Sequence, residues 1–130
     1  MQLGMRYDTD SCSLIPCDIK FNSKTGYWYR PETFDHGMIK DSKKHYSALQ
    51  HVKGSVVLDL GANCGGFTKM AIDAEAKMVV ALEPCPYNFQ ILCLGICFTF
   101  HALPRSCMAT SIASEINVIM LLPAKKNFIS

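Results

Sequence analysis

Val56-Val57-Leu58-Asp59-Leu60-Gly61-Ala62-Asn63-Cys64-Gly65-Gly66-Phe67-Thr68 decides the fold of this chain. A short apolar run rich in Val and Leu suits a parallel strand buried on both faces. Gly61 ends that run, and glycine permits both a positive φ and close approach to the backbone. Gly65 and Gly66 repeat the permission just before a helical stripe at Phe67, Met70, Ala71 and Ala74, spaced i, i+3, i+4, i+7. That helix is expected to end near residues 75–77, where Lys77 suits the C-terminal dipole. Met78 to Leu82 then reads as a second strand, ending in Glu83-Pro84. A right-handed crossover makes the two strands parallel neighbours. Strand, glycine turn, helix, strand and acid together form the layout of a nucleotide-binding βαβ unit.

Glu83 falls at the C-terminal edge of the second strand, the edge at which open α/β sheets bind ligands. It lies 22 positions after Gly61 (83 − 61), close to the interval of about 20 residues for an acid that holds a ribose. The turn itself narrows the ligand. A dinucleotide fingerprint has glycine where Asn63 stands, and a Walker loop has a Lys after its glycines, which is absent here. An adenosine compound without phosphates remains, and S-adenosylmethionine fits. Glu83 would take its ribose, and Asp59 and Asn63 its charged amino acid end, directly or through water. Competing readings are an ordinary tight turn, helix-capping or solvated roles for Asp59 and Glu83, and an NAD site on a variant turn.

Asp59 to Thr68, with Ala81-Leu82-Glu83-Pro84 and Asn88-Phe89, resembles the class I S-adenosylmethionine-dependent methyltransferases. More narrowly it is similar to the FkbM-type branch, where a D-x-G-A-N-x-G motif precedes a helix and an E-P pair ends the second strand. Residues 26–35, with Gly26-Tyr27-Trp28-Tyr29-Arg30-Pro31, also look like the lead-in of some members. The resemblance spans roughly residues 26–92. It implies a Rossmann-like, mostly parallel sheet with flanking helices, and O-methylation of a small-molecule or sugar hydroxyl. The cofactor-binding residues it points to are Asp59, Gly61, Ala62, Asn63, Gly65, Gly66, Glu83 and Pro84. It names no catalytic residue and no acceptor.

With 130 residues, 49% of them apolar, the chain forms one small domain with a packed core. Residues 1–52 read as an N-terminal extension with a lead-in helix, and 53–130 as a partial Rossmann-like methyltransferase domain. The family usually continues through further strands, so this chain reads as a truncated fragment or as a reduced domain. The reduced domain would complete itself by pairing with a second copy through an exposed sheet edge. A net charge of +2 is too small to imply nucleic acid or an anionic membrane. Neither a secretory signal nor a membrane-spanning run is visible. Seven cysteines without C-x-x-C spacing imply small buried hydrophobes in a reducing, cytoplasmic setting, and no metal site. Cys64 could be reactive in the turn, although packing is its simpler role.

The flanks are less defined. Residues 1–25 read as polar and irregular, either extended or partly disordered. Thr33 or Asp35 can cap a helix running to about Val52, with Ile39, Tyr46 and Leu49 loosely on one face. The Tyr27-Trp28-Tyr29-Arg30 cluster is either a lid packed on the sheet or an acceptor wall with Arg30 facing an anion. Pro86 begins another helix ended by Gly95, followed by a third strand from Ile96 to Leu103. Residues 105–115 read as a loop or short helix, and 116–122 as a fourth strand. Of His36, His45, His51 and His101, none sits in a recognisable catalytic motif. His36 is the best placed as a base, beside Arg30 and Asp35.

Overall fold

Two hairpins precede the motif: β1 (Leu3–Asp8) with β2 (Ser13–Asp18), and β3 (Lys20–Asn22) with β4 (Tyr27–Tyr29). The computed structural model describes residues 3–46, 49, 51–99, 107–112 and 116–121, and side chains within 4–96. Of the stretch expected to be irregular or extended, residues 3–8, 13–18 and 20–22 are extended and paired as strands, and polar side chains make the turns between them. Asp8 accepts hydrogen bonds from the Ser11 backbone N–H (2.9 Å) and Oγ (2.6 Å). Asn22 Oδ1 accepts from the N–H groups of Lys24 (3.0 Å) and Thr25 (3.3 Å), and Gly26 closes that turn at φ 74°.

Helix α1 covers Asp35–His45 and stops well short of Val52. Its buried residues are Asp35 and Ile39, so little apolar surface exists to extend it. The chain turns at Val52, whose N–H bonds the Leu49 carbonyl at 3.2 Å. Then follow β5 (Val56–Leu60), α2 (Gly66–Asp73), β6 (Met78–Glu83), α3 (Pro86–Thr99), β7 (Cys107–Ile112) and β8 (Ile116–Leu121). Helix α2 ends at Asp73, ahead of Lys77, because Glu75 takes a left-handed φ of 62°.

The βαβ unit forms as expected. Strands β5 and β6 are parallel, in register from Val56 opposite Met78 to Leu60 opposite Leu82. The four-stranded sheet has the order β5-β6-β8-β7, and β8 runs antiparallel to both its neighbours. The fold is mixed α/β, and this sheet is mixed rather than mostly parallel. The cause is that β7 and β8 enter it as an antiparallel pair, with Ile112 opposite Ile116. Residues 107–112 are accordingly a strand, where a loop or short helix was expected.

Helix α3 continues through Gly95 to Thr99, so residues 96–99 are helical and the expected third strand does not begin there. A continuous apolar run fits a buried helix as well as a strand, and burial decides. Leu92 and Ile96 join Ala62, Ala71, Val79 and Ala81 in the core over the sheet. Ile91 and Leu94 join Ile19, Tyr27, Ile39 and Cys64 in a second core against the N-terminal segment. Helix α3 is thus clamped between two apolar layers, which offsets the cost of an internal glycine, about 1 kcal/mol.

Strand β5 departs from the expectation of burial on both faces. Val56, Leu58 and Leu60 are 60%, 58% and 69% exposed, while Asp59 between them is buried. Among the described residues β5 is an edge strand, and α2 packs against it. The period of two then sends alternate side chains to solvent. No helix of the described residues is long and apolar enough to cross a membrane. His101 and the rest of the expected third strand lie outside the described residues.

Candidate functional site

The turn after β5 is folded back on β6. The N–H groups of Gly61 and Ala62 both donate to the Leu82 carbonyl, at 2.9 and 3.0 Å, and Gly65 N–H donates to the Ala62 carbonyl at 2.9 Å. Gly61, Asn63 and Gly65 all take positive φ, at 74°, 52° and 87°. Asn is among the side chains best tolerated in that region, which gives Asn63 a backbone reason for its place.

The three glycines do different work. A Cβ on Gly65 would stand 2.7 Å from Leu92 Cδ1, so this glycine lets the turn meet α3. A Cβ on Gly66 would stand 2.7 Å from Ser42 Oγ, so this one lets α2 meet α1. A Cβ on Gly61 would meet nothing within 4 Å. Gly61 alone of the three leaves its backbone open to a ligand.

Both acids of the motif are buried, which removes the solvated alternative for each. Asp59 is 8% exposed and accepts a short hydrogen bond from Thr68 Oγ1 in the first turn of α2. Burial pushes its pKa above the usual aspartate value; the Thr68 bond opposes this, and the Glu83 charge adds to it. Glu83 is 5% exposed and faces the turn. Its Oε2 accepts from the Asn63 backbone N–H at 2.7 Å, and its Oε1 from the Cys85 N–H at 2.9 Å and Asn88 Nδ2 at 3.4 Å. A carboxylate offers about four acceptor positions, so about one is left over.

A cavity of about 300 Å³ lies against the turn, at the low end for small-ligand sites. Asp59, Gly61, Ala62, Asn63 and Gly66 line it from the motif, and Met38, Ser42 and Tyr46 from α1. Leu58, Leu60, Cys64 and Phe67 complete it, with the Tyr46 and Phe67 rings 4.6 Å apart at one side. Of the eight predicted binding residues, Gly65, Glu83 and Pro84 do not line it. Gly65 is used in packing, Glu83 in bracing the turn, and Pro84 is exposed at the end of β6.

Other candidates find structural roles. Arg30 is 6% exposed and is bound by Asp35, with Nη2 to Oδ1 at 2.8 Å and Nε to Oδ2 at 3.0 Å, so it presents no charge to an anion. His36 is exposed and lies against Tyr29 in a tilted ring contact, centroids 4.1 Å apart, outside the cavity. Cys64 is 2% exposed, and burial pushes its thiol up to about 12, which makes it a packing residue rather than a nucleophile.

The motif reading missed residues that hold the turn from outside it. Tyr27 Oη donates to the Gly66 carbonyl at 3.1 Å. Thr68 secures Asp59, Ser42 packs on Gly66, and Asn88 reaches Glu83. The one sequence signal for Thr68 is its place in the first turn of a helix that packs back on the strand carrying Asp59. Tyr27 is marked by the aromatic cluster at residues 27–30 but not as a brace of the turn, and the position of Ser42 carries no local signal. Compared with protein-family models, curated proteins and solved structures, the chain matches none.

Proposed function

We propose that the β5–α2–β6 unit binds S-adenosylmethionine and that the chain is a partial class I methyltransferase acting on a small-molecule or sugar hydroxyl. The observation that carries the reading is the pairing of an open Gly61 with a buried Glu83 whose carboxylate reaches the Asn63 amide across the turn. Glu83 does not line the cavity, so its part is to hold the turn whose Gly61, Ala62 and Asn63 face the ligand. Asp59 and Asn63 line the cavity and meet the charged amino acid end of the ligand. Met38, Leu58, Leu60 and Phe67 add an apolar side to the cavity.

When bound, the ligand would supply a sulfonium methyl group to the acceptor oxygen, with the thioether as leaving group and the hydroxyl proton lost to water. The chain's task is then mainly to position the two partners, worth about 7–11 kcal/mol in well-oriented cases. A second reading, cofactor binding without transfer, is favoured by the cavity lining. No histidine lies in it, and its titratable side chains are Asp59, Tyr46 and Cys64. Titration calorimetry with S-adenosylhomocysteine, NAD and ATP tests the binding. Uptake of S-adenosylhomocysteine alone is expected, and preference for NAD would overturn it. Incubation with methyl-labelled cofactor and a panel of hydroxyl compounds separates the two readings, since binding without label transfer selects the second.

A further inference from the structure

We infer that Asn88, oriented by Arg30, is a positioning residue that sets the glycine turn through Glu83. The four groups form one line from the N-terminal segment to the turn. Arg30 Nη2 donates to Asn88 Oδ1 at 2.7 Å, and Asn88 Nδ2 donates to Glu83 Oε1 at 3.4 Å. Glu83 Oε2 then takes the Asn63 N–H at 2.7 Å.

The direction of this line follows from chemistry. A guanidinium has only donors, so the amide at 88 must turn its oxygen toward Arg30. Its N–H₂ is then left facing Glu83, where an acceptor is waiting. Arg30 cannot swing away, because Asp35 takes its backbone N–H (2.8 Å), Nε and Nη2, while the Met5 carbonyl takes Nη1 at 3.1 Å. The Arg30 charge is met by Asp35, so what reaches Glu83 is an oriented amide dipole rather than a cation. The carboxylate is thereby held between two anchors. Cys85 N–H and Asn88 fix Oε1, and the free end, Oε2, carries the turn.

Asn88→Asp separates positioning from mere packing. It keeps the size of the side chain and an oxygen for Arg30, but sets an acceptor against Glu83. Asn88→Ala is the second variant, in case the first does not fold. The readout is the backbone amide resonance of Asn63 in the full chain, with far-UV circular dichroism to confirm folding. The Asn63 proton is expected to move upfield in either folded variant as its bond to Glu83 loosens. A folded variant with that resonance at the wild-type position overturns the inference.

A second arm measures S-adenosylhomocysteine affinity, and it alone rests on the methyltransferase reading. Affinity is expected to fall about tenfold in Asn88→Asp, the scale of one charge-assisted hydrogen bond. A wild-type chain that binds no S-adenosylhomocysteine overturns that reading and leaves the Asn63 resonance to judge the positioning role.

Discussion

Thr68 Oγ1 donates to the buried carboxylate of Asp59, which ties the first turn of α2 to the strand it follows. The pair keeps a charge-bearing group in an apolar place, and burial raises its pKa above the ordinary value. Asp59→Asn keeps an acceptor for Thr68 and discards the buried charge. We expect the variant to be more stable at neutral pH by about 0.5–2 kcal/mol, the usual range for such relief at a binding site. It should also bind S-adenosylhomocysteine more weakly. The pH dependence has a definite sign. Between the unfolded and the raised folded pKa the native state holds more protons, so wild-type stability falls as pH rises through that window. Denaturant unfolding of both proteins from acid to neutral pH should show the advantage of Asp59→Asn growing across the window and then levelling. A constant difference would show that Asp59 does not titrate as described.

Gly65→Ala and Gly61→Ala should fail differently. At residue 65 the methyl meets the fully buried Leu92 and the backbone is left-handed, so a loss of about 2–4 kcal/mol is expected. At residue 61 only the backbone cost applies, about 1–2 kcal/mol, because the methyl enters open space. Ligand affinity should fall at residue 61 beyond what its stability loss explains. Thermal melts paired with calorimetry distinguish the two, and equal melts would contradict the division of roles.

Asp35→Ala strands the Arg30 guanidinium in a buried site. Breaking such a pair from one side costs about 3–5 kcal/mol, enough to unfold many small domains. The double change Arg30→Met with Asp35→Leu should recover much of that loss, since burying apolar groups there carries no unpaired charge. Urea midpoints for the three proteins decide the point, and no recovery in the double variant would argue against an electrostatic origin.

Tyr27→Phe removes one hydroxyl and leaves the Gly66 carbonyl without that donor. The expected cost is about 1 kcal/mol. Amide hydrogen exchange should quicken locally, at the start of α2 rather than throughout the chain. Uniform quickening would mean that Tyr27 serves general packing instead. Burial pushes the pKa of this phenol upward, with the Asp73 charge adding to it, so the hydroxyl keeps the proton it donates.

The βαβ unit was legible because three independent signals agreed there: apolar run, glycine turn and acid spacing. The place of Glu83 beside the turn followed from the crossover rule, whereas its bond to the Asn63 N–H did not. Two things were out of reach. Helix and strand are degenerate for an apolar run such as that beginning at Ile96, whose described residues 96–99 continue α3. Long-range contacts from Tyr27, Arg30 and Ser42 leave no periodic mark on the sequence. The hairpins were closer to readable, since Asp8 before Ser11 and Asn22 before Gly26 are side-chain turn signals. The expectation of a mostly parallel sheet came from the motif resemblance, and the antiparallel entry of β7 and β8 departs from it.

The bracing of the turn by a phenol and a guanidinium from far upstream has a practical corollary. A shorter piece starting at residue 53 would keep every letter of the motif and lose Tyr27, Arg30 and Ser42, which brace or pack the motif from outside. Spotting the signature and owning a working pocket therefore demand different lengths of polypeptide, and a minimal expression product should begin before the first hairpin.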